Sequence, residues 1–310
     1  NFVLNKAVGF ATQLYPIGAL SKESAGKDMA ELYDMKKAGA VAFGDYNKSL
    51  DNANLLKIAL QYVQDFDGLL LAFSQDENIK GNGVANEGIV STQLGLKGIP
   101  NLAEELQIAR NLFLLEYTGG KLHIPTISTK KSVQLIKEAK ANGLNVTCSA
   151  AVHHLVLTDD KLEGFDTRYK VSPPLRTETD RKALLKGIKD GTIDMITSDH
   201  NPMDIEHKKM EFDGAKNGTI GLESAFGALM TVLPLETVID KLTTGKARFG
   251  IEIQTINEGS CANITLFNPE PISIFIKSSI LSKSKNSAFL QTEIKGKVYG
   301  IINQAKLILA

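Results

Sequence analysis

The chain has 310 residues, of which 43% are hydrophobic and 23% charged, as is usual for a folded globular protein. Its 35 Lys and Arg residues balance its 35 Asp and Glu residues, so no basic excess points to a nucleic-acid or membrane partner. No apolar run reaches the roughly 18 residues of a membrane span, and no signal segment is visible, which predicts a cytoplasmic protein. Cys148 and Cys261 lie far apart in apolar contexts, which favours buried thiols over a disulfide or a zinc pair.

The first residues, Asn-Phe-Val-Leu-Asn, are typical of the middle of a helix, and we expect a further segment upstream of them. Short apolar runs then alternate with helical patterns, as in βα units that build a parallel sheet. Six strands are predicted, over residues 9–16, 40–43, 68–73, 121–126, 145–150 and 193–197. An open doubly wound sheet can stop at six strands, whereas a closed barrel needs eight, and periodicity alone does not choose between them.

Three helix starts are predicted from polar residues that precede apolar positions at three- and four-residue spacing. Asp51 is expected to cap the first of these helices, and either Ser128 or Thr129 the second. Thr177 is expected to cap the third, with an acid at Asp180 in capping-box spacing.

The pattern changes from about residue 253. The stretch "GSCANITLFNP" is strand-like, and "FIKSSILSKSKNSAFL" reads as an extended passage. The stretch "IKGKVYGIINQAKLILA" predicts a hairpin with "INQAK" at its turn. The sequence therefore predicts an α/β body over residues 1–252 and part of a small β subdomain over residues 253–310.

Six stretches carry a further signal through their order along the chain. They are "YPIGALSKESAGKDMAELYDMKKAGAVAFGDY", "HIPTISTKKS", "VTCSAAVHHLVLTDD", "VSPPLRTETDRKALLKGIKDGTIDMITSDHNP", "NGTIGLESAF" and "GSCANITLFNP". Each is a modest signal, but the ordered series spans nearly the whole chain and resembles the dihydroorotases, which are cyclic amidohydrolases of the amidohydrolase superfamily.

The resemblance implies an α/β fold of the TIM-type (β/α)₈ barrel class, with a small β-sandwich subdomain beside it. It places the first two barrel strands before Asn1, which agrees with a count of six. Family members interconvert carbamoyl-aspartate and dihydroorotate in pyrimidine synthesis. The resemblance also implies one or two zinc ions, which polarise the amide carbonyl and supply a hydroxide at the carboxyl ends of the strands.

Two acids match the metal positions of the family. Asp199, in "SDHNP", would be a metal ligand and the catalytic general base, since a carboxylate can bind a cation and accept a proton. The less favoured alternative is that Asp199 caps the turn that follows its strand. Asp45, in "FGDY", would be a metal ligand at the end of an earlier strand, or a loop-capping residue.

Two other metal positions depart from the family. Phe73 and Thr126 stand where the resemblance places histidine ligands, and neither side chain can supply an imidazole nitrogen to zinc. His123 lies three residues before Thr126, so along a regular strand it is expected to point to the opposite face and to be structural. Zinc is therefore expected to be weakly bound or absent.

The remaining site positions are implied by the resemblance alone. At two of them the chain has replaced a family residue, an amide by Ser172 and a histidine by Met203. We expect the substrate to contact Ser172, Arg176, Met203 and Gly218, with His200 and His154 supporting these contacts from behind.

Three functional hypotheses stay open, so the chain is not yet assigned as an active enzyme. The first is a homologue that has lost or nearly lost catalysis and serves as a scaffold for aspartate carbamoyltransferase. The second is a working zinc-dependent cyclic amidohydrolase that uses an upstream His-x-His with Asp45 and Asp199, and acts on a small-molecule substrate. The third is a binding module with another ligand. A homodimer is also expected, because barrels of this family commonly pair.

Overall fold

The computed structural model describes residues 1–303 and 305–309. Its strands and helices alternate along the first two hundred residues, and strands dominate the last fifty. The strands are β1 (Ile17–Gly18), β2 (Ala42–Phe43), β3 (Leu70–Leu71), β4 (Ala85–Asn86), β5 (Gly98–Ile99), β6 (Leu122–Ile124), β7 (Val146–Ala151), β8 (Met195–Thr197), β9 (Asn263–Ile274), β10 (Glu293–Asn303) and β11 (Lys306–Leu309). The helices are α1 (Phe2–Ala7), α2 (Leu32–Lys37), α3 (Ala53–Tyr62), α4 (Glu77–Lys80), α5 (Ile89–Leu94), α6 (Asn101–Thr118), α7 (Lys130–Ala141), α8 (Val152–Val156), α9 (Glu178–Lys189), α10 (Ala225–Leu229) and α11 (Leu235–Thr243).

The central sheet has six parallel strands in the order β1-β2-β3-β6-β7-β8. Four of the six predicted strands contain the observed ones, and a fifth, over residues 145–150, overlaps β7 up to its last residue. The prediction over residues 9–16 was wrong, because the first strand begins at Ile17 and its pairing starts where the Val41 amide donates to the Pro16 carbonyl. Phe10 and Leu14, which suggested the earlier strand, are exposed. Sequence patterns also missed the short parallel pair of β4 and β5. Both thiols are free, but only Cys148 is buried as expected, whereas Cys261 is exposed.

The helices beside the sheet bury one face each. In α3 the buried side chains are Leu55, Leu56, Ala59 and Leu60, and each fully buried leucine contributes about 1.5–3 kcal/mol of burial free energy.

Two of the three expected helix caps are present. The side chain of Thr129 caps α7 and that of Thr177 caps α9, as expected. Asp51 was the wrong cap for α3, since the side chain of Asn52 accepts the hydrogen bond from the Leu55 amide.

A second sheet lies in the last part of the chain. Strands β9, β10 and β11 are antiparallel, with β10 in the centre and register shifts along its pairing with β9. The hairpin expected from the sequence is therefore confirmed in β10 and β11. Its expected turn includes Gln304, which lies outside the described residues. The boundary between residues 252 and 253 stays a prediction.

Arg248 joins the starting ends of two neighbouring strands. Its guanidinium donates to the Leu122 carbonyl at 3.1 Å, at the start of β6, and to the Asn145 carbonyl at 2.8 Å, just before β7. The same group donates to the Asn145 side chain at 2.5 Å. One cation thus satisfies three acceptors at the amino-terminal ends of the strands, on the side of the sheet away from their carboxyl ends.

Within the described residues, none of the helices combines the length and the apolar character that crossing a membrane requires.

Candidate functional site

A cavity of about 450 Å³ runs along one face of the central sheet. Met195, Thr197 and Asp199 all line it, because alternate residues of a strand share a face. Most of its walls are apolar, contributed by Ile17, Leu71, Phe73, Pro125, Met195 and Phe249. Its polar lining is Tyr46, Asn47, His123, Thr126, Ser149, Ser172, Thr197, Asp199 and His200. The volume is in the range of small-molecule sites, which are about 300–1,000 Å³.

Three residues of this lining have strained backbones. Tyr46, Thr126 and Asp199 follow β2, β6 and β8, and their φ angles are +55°, +51° and +44°. Side chains with a Cβ rarely adopt this left-handed conformation, which costs about 1–3 kcal/mol per residue. Strain of this kind clusters at functional sites, so it marks the carboxyl ends of the strands as the candidate site.

Among the described residues, Asp199 is the only carboxylate of the lining, and burial raises its pKa to about 6. Partial burial and the nearby charge of Asp199 raise the pKa of Tyr46 to about 12, so its hydroxyl remains protonated. Near neutral pH, Asp199 is therefore a proton acceptor and Tyr46 is a hydrogen-bond donor.

Two buried histidines stand behind Asp199. His153 Nε2 lies 3.9 Å from Asp199 Oδ2, and neither ring nitrogen of His153 has a hydrogen-bond partner among the described residues. Burial holds the pKa of His153 well below its usual value, so the ring is neutral. Its neighbour His154 donates from Nε2 to the Pro173 carbonyl at 3.0 Å, and burial lowers its pKa to about 4.

His200 lines the cavity beside Asp199, and its orientation is fixed by the backbone. Its Nδ1 accepts hydrogen bonds from the amides of Gly221 and Leu222, both at 3.3 Å. Nε2 therefore carries the proton of the neutral ring and is the nitrogen left for a ligand.

His123 lines the same cavity as Thr126, so the expectation of opposite faces was wrong. Strand β6 ends at Ile124, and the left-handed backbone of Thr126 breaks the alternation on which that expectation depended. The ring is 2% exposed and bonded at both nitrogens, to Thr147 Oγ1 at 3.0 Å and Ser149 Oγ at 3.2 Å. Burial lowers its pKa to about 3.

Asp45 lies outside the cavity lining. Its carboxylate accepts hydrogen bonds from the amides of Leu20 and Ser21, at 2.9 and 3.0 Å, and from the Ser21 hydroxyl at 2.5 Å. These bonds fit the loop-capping role, and the structure does not bring Asp45 and Asp199 together in the cavity.

The fit to a metal ion follows from the donor set. Phe73 and Thr126 both line the cavity, but neither supplies a zinc ligand. Among residues 1–303 and 305–309, no three His, Cys, Asp or Glu side chains are grouped so that they could hold a metal ion. The residues present therefore do not fit the zinc centre that the resemblance implies.

Of the four expected substrate contacts, only Ser172 lines the cavity. Arg176 is 3% exposed and donates to Ser128 Oγ, Asn86 Oδ1 and the Ile99 carbonyl, so it belongs to a buried network instead.

The other two expected contacts lie in loops beyond the cavity. Met203 lines two neighbouring clefts, where its carbonyl accepts from Ser284 Oγ at 2.8 Å. Gly218 has φ +139°, and a Cβ there would approach the Asn201 carbonyl to 2.9 Å, so this turn requires glycine.

Two features of the site were not predicted from the sequence. The first is Tyr46, which follows Asp45 in "FGDY" and reaches the cavity. The contact between His153 and Asp199 joins residues 46 positions apart, and no local pattern signals it.

Comparison with known proteins gives the class and then the family. The fold is similar to L-hydantoinase from Arthrobacter aurescens, with a TM-score of 0.83 at 22% identity over 97% of this chain and 70% of that chain. A D-hydantoinase structure gives a TM-score of 0.81 at 19% identity, over 99% of this chain and 74% of that one. With its parallel sheet and separate antiparallel sheet, the protein has the TIM-barrel fold of the amidohydrolases, and the expected fold class is confirmed.

The sequence relatives are more specific. A dihydroorotase from Pelotomaculum thermopropionicum is 42% identical over 98% of this chain and 73% of its own length. A dihydroorotase from Geotalea daltonii is 38% identical over 99% of this chain and 74% of its own length. The family model described as dihydro-orotase-like matches residues 9–132. The chain belongs to the dihydroorotase family.

Proposed function

We propose that this member of the family has a degraded metal site, and that its hydrolysis of the cyclic amide dihydroorotate is weak or lost. The supporting observation is the lining beside Asp199, where Phe73 and Thr126 stand at the two positions of expected histidine ligands. Phe73 is 3% exposed, so its ring fills space without offering a lone pair. Zinc is accordingly bound weakly or not at all.

The chemistry of the remaining side chains agrees with this proposal. Asp199 can accept a proton near neutral pH, and Tyr46 and His200 can donate hydrogen bonds. Hydrolysis of an amide also requires stabilisation of the negative charge that develops on the carbonyl oxygen. Within the described residues, the cavity lining has no Lys or Arg for this purpose. Proton transfer is thus better provided for than carbonyl activation.

The alternative is an active zinc enzyme that combines an upstream His-x-His with Asp45 and Asp199. The position of Asp45 argues against it, because three hydrogen bonds already occupy that carboxylate away from the cavity. Turning the carboxylate towards the cavity to reach a metal there would strain or break these bonds.

Elemental analysis and dihydroorotate hydrolysis, both on the full-length protein, separate the two functions. We expect substoichiometric zinc and little or no turnover. Phe73→His with Thr126→His should raise zinc retention, because two imidazoles then face Asp199. Leu71→His is the matched control, since it adds a histidine to the same cavity at a position that is not a family ligand position. Stoichiometric zinc with turnover in the unmodified protein would overturn the proposal.

The setting of the protein is proposed from the family alone. Its ligand is a small molecule of pyrimidine synthesis, and it acts in the cytoplasm as a homodimer, without nucleic-acid or membrane partners. If catalysis is lost, it serves as a scaffold for aspartate carbamoyltransferase. Mixing the two purified proteins and measuring the mass of the product by light scattering tests the scaffold, and two unshifted peaks would exclude it.

A further inference from the structure

Helix α6 exposes a stripe of apolar side chains. Leu102, Leu106, Phe113 and Tyr117 are 53%, 50%, 71% and 77% exposed, and the half-buried Ala109 lies between them. At 100° per residue these five positions fall within about 80° of the helix circumference. We call this set the α6 stripe. It lies opposite the side of the helix that packs on the core, which includes Ile108, Leu112 and Leu115.

A solvent-facing stripe of this kind is unusual for a barrel helix, whose outer surface is normally polar. Single exposed apolar residues need no explanation, but a continuous row with two aromatic rings indicates a surface that is covered by a partner. The helix α3, which packs against α6, adds Ile58 and Tyr62, exposed by 42% and 38%.

The spacing of the stripe is symmetric about its centre. Leu102 and Tyr117 are equally far from the midpoint at residues 109 and 110, and so are Leu106 and Phe113. If a second α6 packs antiparallel around a two-fold axis at this midpoint, each leucine faces an aromatic ring. A parallel pair would instead set ring against ring at one end and leucine against leucine at the other, which packs less evenly. Ala109 at the crossing lets the helix axes approach to about 8–10 Å.

The area also suits a second copy. The four large side chains of the stripe expose on the order of 500 Å² of the roughly 800 Å² per partner that a stable interface buries. Ile58 and Tyr62 on α3 can supply much of the remainder. We propose that the α6 stripe is the self-association surface of this protein, and that two chains pair through antiparallel α6 helices.

This interface would be the contact surface of the homodimer proposed above. It does not depend on whether the cavity binds metal or hydrolyses a substrate. Zinc content and hydrolysis report on the cavity alone. Oligomeric mass and cross-linking report on the interface alone, so the two proposals can fail separately.

The first test is the mass of the full-length protein by sedimentation equilibrium. The unmodified protein should be a dimer, and Phe113→Glu should raise the dimer dissociation constant at least about 30-fold, as expected for a central interface residue. Leu281→Glu is the matched control, because Leu281 is 84% exposed and lies outside both α3 and α6. An unchanged thermal midpoint for Phe113→Glu at concentrations where both proteins are monomeric shows that the variant folds.

The second test fixes the orientation by disulfide trapping in a Cys261→Ser background, which removes the exposed native thiol. Ala109→Cys should form a covalent dimer under mild oxidation. Leu102→Cys with Tyr117→Cys should also cross-link between chains, while Leu102→Cys alone should not. Lys182→Cys on α9, whose native side chain is 72% exposed, is the control for random collisions.

Three results would overturn the inference. One is a monomeric unmodified protein at micromolar concentration, which would also remove the homodimer. Another is a dimer that tolerates Phe113→Glu and gives no Ala109→Cys cross-link, which would place the interface elsewhere. The third is cross-linking by Leu102→Cys alone, which would show a parallel pair.

Discussion

Two buried polar regions of this barrel differ in how well their groups are satisfied. Around Glu104 and Arg176 each charged group has several partners. Glu104 accepts from the Ser128 and Thr129 amides and the Ser132 hydroxyl at 2.7–3.2 Å, and Arg176 donates three hydrogen bonds. At the strand ends, Asp199 has only a neutral histidine 3.9 Å away, and His153 has no partner at either nitrogen within the described part of the chain.

This difference in hydrogen bonding distinguishes polar groups that stabilise the fold from polar groups that are available to a ligand. A fully bonded network stabilises the chain without any addition, whereas buried polar atoms without partners cost about 1–3 kcal/mol each. Strained backbones at Tyr46, Thr126 and Asp199 add to the cost on the cavity side. The cavity therefore has the energetic signature of a functional site.

The largest change in the free energy of unfolding is expected when the hydrogen-bond network of Glu104 and Arg176 is broken. Arg176→Met should lower the free energy of unfolding by about 3–5 kcal/mol, because Glu104 loses its buried counter-charge. Urea denaturation at neutral pH measures this change. Lys182→Met, at an exposed ion pair with Glu178, is the control and should stay within about 0.5 kcal/mol. A loss below about 1 kcal/mol for Arg176→Met would show that the network does not depend on the cation.

A pH-dependent effect is expected from His123. Its pKa is about 3 in the folded protein and about 6.5 when unfolded, so below pH 6.5 only the unfolded chain takes up the proton. The free energy of unfolding should therefore fall on acidification from pH 6.5 towards 3, by about 1.4 kcal/mol per pH unit from this residue. His123→Gln should make the slope between pH 6 and 4 shallower by about that amount.

The control for this experiment is His207→Gln, the same exchange at an exposed position. Equal slopes for His123→Gln and the unmodified protein would show that His123 is not held neutral by burial.

The smallest change in the free energy of unfolding is expected at the neighbouring histidines His153 and His154. His153→Leu should raise the free energy of unfolding by about 1 kcal/mol, because it removes two unsatisfied nitrogens from the interior. His154→Leu should lower it, because that ring donates to the Pro173 carbonyl. Urea denaturation of both variants shows whether each substitution raises or lowers the free energy of unfolding. Destabilisation by His153→Leu would mean that its nitrogens have a partner in solution, such as a bound group.

Much of the barrel could be predicted from the sequence because its signals are local. Apolar runs gave five of the six strands of the central sheet, and the polar residues before α7 and α9 gave their caps. The first strand was missed because Phe10 and Leu14 look like strand residues but are exposed in the folded chain.

The candidate site was harder, because its geometry depends on distant residues and unusual backbone angles. Asp199, Phe73 and Thr126 were found by matching motifs. That Thr126 and His123 face the same cavity was not predicted, since this depends on the φ angle of +51° at Thr126. Arg176 was expected at the substrate from the resemblance of "SPPLR" alone, and no local pattern signals its buried partners Ser128, Asn86 and Ile99.

Arg248 explains how such a barrel can change its chemistry and keep its shape. Its guanidinium ties β6 to β7 at their starting ends, while Phe73 and Thr126 lie beyond the finishing ends of β3 and β6. Mutations that erase a reaction therefore leave the tie intact. Selection on the carboxyl ends of the strands can weaken while selection on their amino-terminal ends continues. A barrel of this kind can therefore stay well folded after its ancestral reaction is lost.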